Sequence, residues 1–534
     1  MARPLARRFY KQFLLGLGAL AVALPAAALS DSVDTSGIDA RRLQAEPYNL
    51  TGRKIAIGQV EIGRPGQFGV DKVPASLPMQ VSQVFDLDGP AIADATVQGH
   101  AANVASVMIS QDKLLTGVAP NARLYAAAVG DLTEFKGQPE ECITTQHVAL
   151  QNSGDVRAMN FSFGEPLTRD PRPNALLDGE ALLTHCIDWS SRVHKLLYVI
   201  AGNQGRGGIP IPTDNYNAIN VAYSTRIDGE FMRVDYANLS SEPPRTSYYG
   251  PEPESNVGTR RSISLVAPGR DIAMFEPDGS RTVSSGTSFA APHVVATVAL
   301  LQEFGDRQFR ASTTTGENNW SLDTREPLVM KSVILNSADK LKDSGDGNLL
   351  GMSRTLLDER GRDWTQGDSY QDQAIPLNQD LGVGHLNAFR AYTQLAAGQQ
   401  APGEVSALGW SYSTIDKTDN VQDYVFEQPL KGDSYISATL TWERVVELNS
   451  TDEYFDLDED FTGRSLSNLD LYLLPADSDN LSDSVWSSVS REDSLEHIFI
   501  PIPTSGRYKL RVIRQPGSED NVPYSLAWWS NPET

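Results

Sequence analysis

The sequence predicts an α/β unit, a parallel sheet flanked by helices, followed by an all-β antiparallel sandwich. Three observations carry this. Between Lys54 and Gly269, short apolar runs ending in glycine or a carboxylate alternate with helix-like stretches, the pattern of βαβ units. Beyond residue 403 the apolar period drops to two. The charge shifts at the same place: residues 401–534 contain 24 Asp and Glu against 9 Lys and Arg, which is −15 of the net −23 carried by all 534 residues. A chain of this length exceeds what one core organises. The expected division is a signal peptide over 1–28, an N-terminal arm over 29–50, the α/β domain over 51–397, a linker over 398–403 and the sandwich over 404–534.

The leader has three parts. Arg3, Arg7, Arg8 and Lys11 are basic, Phe13 to Leu24 is apolar, and Pro25-Ala26-Ala27-Ala28 supplies small residues. That is the order of a secretory signal, and its apolar part is short for a bilayer span. Cleavage after Ala28 and export, to the periplasm or outside the cell, are expected, with no membrane span afterwards. A retained anchor is the alternative, and Arg7-Arg8 leaves the route open between general and twin-arginine export. Residues 29–50 are polar and unpatterned. The net charge of −23 argues against nucleic-acid and anionic-membrane partners, which need a basic face. Cys142 and Cys186 are the chain's two cysteines. In an exported protein they can pair or remain buried thiols.

Taken in order, Ile55 to Val60 is a buried strand ending at Glu61, which puts a carboxylate at the carboxyl edge of the sheet, where α/β proteins build sites. A solvent-facing edge Glu is the bland reading. Residues 64–94 are rich in Gly, Pro and Asp and read as surface loops. Gly99-His100-Ala101-Ala102-Asn103-Val104 opens an apolar helix with a histidine; a lone His is more often structural, but this one sits at a helix start directly after a glycine. Ala122 to Val129 and Ala158 to Gly164 are strands around a helix from Cys142 to Gln151. Leu176 to Lys195 is a helix leading to a strand that ends at Gly202-Asn203. Glu61, Gly164 and Asn203 therefore share one sheet edge. Ile219 to Tyr223 and Ile263 to Gly269 continue the strands, and Ser285-Gly286-Thr287-Ser288-Phe289-Ala290-Ala291-Pro292-His293 starts a buried helix. Ser288 falls in its first turn, near free N–H groups, where it can be a simple cap or a nucleophile. Leu328 to Asn336 is a further helix, 340–379 is polar, and a last helix ends near Ala397. Past the linker, Tyr435 to Trp442, Leu469 to Leu473, His497 to Ile500, Tyr508 to Val512 and Tyr524 to Trp529 are alternating strands of a sandwich with one apolar face. The acidic run Asp452 to Asp460 lacks the Gly and spacing of a calcium loop and reads as solvated.

Glu61, His100, Asn203 and Ser288 together fill every role in acyl transfer. A serine hydroxyl needs a base, the base needs a partner fixing its tautomer, and the tetrahedral oxyanion needs donors. Gly286-Thr287-Ser288-Phe289-Ala290-Ala291-Pro292-His293, the helix from His100 to Ser106, Gly117-Val118-Ala119-Pro120, Ala201-Gly202-Asn203-Gln204-Gly205 and Val266-Ala267-Pro268-Gly269 resemble the subtilisin-like serine peptidases over residues 51–397. The resemblance implies an endopeptidase with Ser288 as nucleophile, His100 as general base then acid, and the Asn203 amide on the oxyanion. It also implies that Ser162, Phe163 and Gly164 pair with an extended substrate backbone. The sandwich is similar to jelly-roll modules attached to secreted bacterial proteases.

Two departures stand out. The family's first core strand supplies an aspartate, whereas this chain supplies Glu61, one methylene longer; a register shifted by two would put Gln59 there, which carries no charge. After His100 the family has Gly-Thr-His, and this chain has Ala-Ala-Asn, which implies altered packing of the base helix. Only 32 residues separate Ala28 from Glu61, which does not suit a folding pro-domain. The chemistry requires no cofactor or metal; calcium is frequent in such peptidases, but no ligand set maps onto this sequence. The expected partner is a protein or peptide substrate, met by a monomer. The rival reading is a catalytically impaired scaffold that binds peptide or surface material.

Overall fold

The computed structural model describes residues 29–130, 137–202, 211–235, 260–315, 320–450 and 452–533. The expected leader over 1–28 and Asn203 lie outside the described residues. Nine strands form the main sheet: β1 (Ala56–Glu61), β2 (Gln83–Asp86), β3 (Gly89–Pro90), β4 (Arg123–Ala128), β5 (Val156–Phe161), β6 (Leu197–Ala201), β7 (Ile219–Ile227), β8 (Glu230–Val234) and β9 (Leu265–Pro268). Their order is β3-β2-β4-β1-β5-β6-β7-β8, with β9 also on β7. Strands β2, β4, β1, β5, β6, β7 and β9 run parallel, and β3 and β8 turn back at the edges. β1 and β5 are buried along their whole length, as strands covered on both faces must be.

Helices α1 (Leu29–Val33), α2 (Arg41–Gln44), α3 (Gly99–Ile109), α4 (Gln138–Ala149), the turn α5 (Gln151–Gly154), α6 (Leu182–Val193), α7 (Thr287–Thr315), α8 (Pro327–Asn336) and α9 (Ala388–Ala396) follow in sequence. Successive strand residues face opposite sides. Ala158, Leu197 and Val199 pack with α3 and α7, while Met159, Tyr198 and Ile200 pack with α4 and α6. The stretch read as an arm contributes Val33, Ile38, Ala40, Leu43 and Leu50 to the main core, each essentially inaccessible. Its polar residues hid this: Gln44 Nε2 donates to the carbonyls of Gly117 and Val118 at 2.8 and 2.9 Å.

Cys142 on α4 and Cys186 on α6 form a disulfide, with Cα atoms 5.9 Å apart and a sequence separation of 44. Trp189, Phe455 and Phe461 surround it, so the acidic run Asp452 to Asp460, otherwise largely exposed, is anchored through Phe455. Closing a loop of this size restricts the unfolded chain. The double variant Cys142→Ser, Cys186→Ser is expected to lose about 2–5 kcal/mol, read as a lower denaturant midpoint; an unchanged midpoint would show the bond to be dispensable.

After the short hairpin β10 (Ile272–Phe275) and β11 (Arg281–Ser284), the remaining strands are β12 (Gly403–Val405), β13 (Leu408–Asp416), β14 (Val421–Phe426), β15 (Tyr435–Trp442), β16 (Val446–Leu448), β17 (Phe461–Gly463), β18 (Leu469–Pro475), β19 (Trp486–Ser488), β20 (Leu495–Pro501), β21 (Tyr508–Arg514) and β22 (Asn521–Trp529). They make two facing sheets, β12-β14-β21-β18-β19 and β13-β22-β15-β20, with the pair β16-β17 beside them. Trp442, Trp528, Tyr424 and Tyr524 fill the space between the sheets.

The alternation of β15 suggested one wet face. Ser437 and Thr439 instead bond the Asn336 side chain of α8 at 2.9 and 3.1 Å, Thr441 bonds the Leu328 carbonyl at 3.2 Å, and Ser525 on β22 meets Ser332 at 2.8 Å. Gln394 on α9 donates to the carbonyls of Gly409 and Trp528. The sheet β13-β22-β15-β20 is thus covered twice, by apolar side chains within the sandwich and by hydroxyl-bonded helices outside it. The stretch between the units is tied down as well: Gln400 N donates to Trp410 O at 2.8 Å, and Gln399 bonds Asp323 and Ser321.

Lys340 lies in this seam, wholly buried against Trp364 and Phe499, with no hydrogen-bond partner for Nζ among the described residues. Burial, helped by the Arg390 charge and opposed by Asp339, holds its pKa well below the ordinary value near 10.5. The unfolded chain therefore binds the proton more readily, and stability rises with pH up to that ordinary value. Lys340→Met should stabilise by about 1–3 kcal/mol at neutral pH, and the gain should shrink as pH approaches 10.5. A lower melting temperature for the variant at pH 7 would contradict this. Among the described residues no helix is long and apolar enough to cross a membrane.

Candidate active site

The strand ends and helix starts at the carboxyl edge of the sheet bring three sequence-selected side chains into one region. Glu61 is the last residue of β1 and is essentially inaccessible. His100 is the second residue of α3, and its side chain keeps 37% of its surface exposed. Ser288 is the second residue of α7 and partly exposed. Glu61 Oε2 lies 2.8 Å from His100 Nδ1. The longer carboxylate therefore reaches the imidazole from the end of the strand, and Gln59, its Nε2 donating to Ala101 O at 2.9 Å, lies beside the Glu61 carboxyl. Glu61 Oε1 has no hydrogen-bond partner among the described residues.

The electrostatics follow from burial. Burial pushes the Glu61 pKa up, partly offset by the His100 charge and hydrogen bond. On His100 burial acts downward, and the Glu61 charge and hydrogen bond overcome it, so the imidazole ends above its ordinary value of 6.5. The partial positive charge at the start of α3 acts against an imidazolium, which makes the carboxylate the decisive neighbour.

The head of α7 is stitched to the end of β5. Ser162 Oγ accepts from Asn160 Nδ2 at 2.9 Å and donates to Ser288 O at 3.1 Å, while Ser288 Oγ donates to Ser162 O at 3.4 Å. That last contact is long for a hydroxyl donor. Among the described residues no hydrogen bond joins His100 to Ser288; the His100 ring lies 5.6 Å from that of Phe289, the residue after the serine. Glycine brings the approach loop in: Gly286 N donates to Gly269 O at 2.9 Å, and a Cβ on Gly269 would fall 2.6 Å from Gly286 O. The two glycine-bearing motifs are thus in backbone contact. His293 is a buried neutral residue, its pKa lowered by burial to about 4, bonded to Phe289 O and Ser32 Oγ.

Phe163 stacks on Phe161 at 4.3 Å and is largely buried, as is Gly164. Glu165 is fully buried, its backbone paired with Ile211 and its carboxyl beside Glu141 and 3.6 Å from Arg169. Burial raises its pKa to about 7. It faces α4 and not open solvent. No local pattern marks Glu141 as its partner, because a lone Glu in a mixed helix reads as surface. Asn103, in the altered stretch after His100, donates to Phe275 O at 2.9 Å, so it pins the base helix to β10.

Comparison with known proteins shows which family the chain resembles in sequence. The subtilase family model matches residues 75–353, a stretch that holds His100, Asn203 and Ser288 and begins after Glu61. The chain is 25% identical over 266 residues to Subtilisin DY of Bacillus licheniformis, covering 49% of this chain and 81% of the relative. It is 30% identical over 249 residues to an intracellular serine protease of Paenibacillus polymyxa, covering 46% of this chain and 65% of the relative. It is 26% identical over 223 residues to the major intracellular serine protease of Bacillus subtilis (strain 168), covering 41% of this chain and 60% of that relative. The match thus spans between three fifths and four fifths of these relatives.

Proposed function

Because this chain belongs to the subtilase family, whose matched relatives are named as serine proteases, we propose that it is an exported serine endopeptidase that cleaves peptide bonds through an acyl-enzyme. The observation that carries the reading is the 2.8 Å contact between Glu61 Oε2 and His100 Nδ1, near the partly exposed Ser288 at the start of α7. Ser288 Oγ attacks the substrate carbonyl, and His100 Nε2 takes its proton and later passes it to the leaving amine. Glu61 fixes the tautomer with the proton on Nδ1 and stabilises the imidazolium. Asn203 is assigned to the oxyanion on the sequence alone, together with the Ser288 N–H at the start of α7. The backbone of Ser162, Phe163 and Gly164 takes the extended substrate. Export is supported by the leader pattern and by the disulfide, which persists in oxidising compartments.

The long Ser288 Oγ contact to Ser162 O costs little to exchange for one to His100 Nε2, a catalytic hydrogen bond of the kind that tightens only in the substrate complex. The test is labelling with a fluorophosphonate probe. A stoichiometric adduct on Ser288 of the folded protein is the expected result; a protein that stays unlabelled while folded would favour the impaired peptide-binding scaffold.

A further inference from the structure

An open cavity of about 950 Å³ lies on the sandwich, lined among others by Asn468, Asp470, Tyr472, Arg491 and Gln515, and by Ala374 from the α/β unit. Ala374 is held there because Gln373, its neighbour, receives bonds from Val489 N and Ser487 Oγ at 2.8 Å each. The cavity therefore sits where the two units meet, a frequent place for ligand sites.

Asp470 is 5% exposed. Its Oδ2 accepts from Tyr472 OH and from Gln515 Nε2. Its Oδ1 is buried with no hydrogen-bond partner among the described residues, and so is Asn468 Oδ1. Two residues that line one cavity each hold a buried, unpaired acceptor, which is costly, and a donor-bearing ligand toward which these side chains turn relieves that cost. Charge selects among donors. Burial drives the Glu496 carboxyl behind Asp470, bonded to Ser488 and Ser490, toward its neutral form, so the negative charge of the cavity is that of Asp470, with Glu492 at the rim. A guanidinium or ammonium carries donors and no acceptor, whereas a sugar hydroxyl carries both and an anion carries no donor. Arg491 opposes a cation, but it is exposed at the rim, where solvent screens it.

We propose that this cavity is a binding site for a basic side chain, arginine or lysine, presented by a polypeptide, with Asp470 and Asn468 as its acceptors. The proposal stands whether or not the chain is an active peptidase.

The experiment is calorimetric titration of the full chain with N-acetyl-arginine amide, with N-acetyl-norleucine amide and maltose as neutral comparisons. Saturable binding of the arginine probe alone is expected. Asp470→Asn should weaken it by about tenfold or more, the scale of a lost charged hydrogen bond. Arg491→Ala, at an exposed position that leaves the fold intact, should strengthen it by a few-fold. Binding of norleucine amide or maltose as tight as that of the arginine probe would overturn the proposal. So would weaker arginine binding in Arg491→Ala, or no saturable heat in either the parent or that variant.

Discussion

Ser288→Ala is expected to lower turnover by about 10⁴–10⁶-fold and to abolish the fluorophosphonate adduct, with KM changed little. The argument rests on how little else the hydroxyl does. Its hydrogen bond is the 3.4 Å contact to Ser162 O, at the limit of a useful interaction. The stitch between β5 and α7 runs through Ser162 Oγ and the Ser288 backbone, which alanine keeps. Stability should therefore hold within about 0.5 kcal/mol, and the loss belongs to chemistry. Turnover above about a hundredth of the parent value would move the nucleophile elsewhere.

Glu61→Gln is expected to reduce turnover by about 10²–10⁴-fold with substrate binding largely kept. The amide can still lie 2.8 Å from Nδ1 but cannot balance an imidazolium, and its NH₂ can turn toward the ring and select the wrong tautomer. The pH profile separates this from a packing defect. In the parent, His100 is raised above 6.5, so the acid limb of kcat/KM should fall above that pH: the neutral base is lost as pH drops through the raised value. In Glu61→Gln the raising charge is gone while burial still acts downward, so the limb should move to lower pH. Glu61→Asp keeps the charge but retracts it by one methylene and should fall between the two. An unmoved acid limb in Glu61→Gln would remove Glu61 from the role.

The site was legible for a physical reason. Each part sits at an element boundary that leaves a local mark: a six-residue apolar strand ending in a carboxylate, a glycine before a histidine, a glycine and threonine before a serine. What stayed hidden depends on partners remote in sequence. Ser437, Thr439 and Thr441 alternate as a solvent face would, yet Asn336 and Leu328 of α8 satisfy them. Val33, Ile38 and Leu43 are spaced among polar residues too closely for periodicity to separate them. Residues 64–94, read as loops, contain β2, a strand of four residues that owes its place to its parallel neighbour β4. Pairing of Cys142 with Cys186 needed the helices' relative position, which spacing does not encode.

The tied stretch between the two units has a consequence for a protease in the company of its own copies. A peptidase that takes its substrate as an extended strand cleaves where backbone can be peeled free, and an exposed interdomain tether is the usual casualty. Here the tether's amides and glutamines are already engaged by Trp410, Asp323 and Ser321. Cutting beside Gln399 and Gln400 must first break bonds made by both units, so an active chain is less open to autolysis there than at residues 401–404, which are exposed.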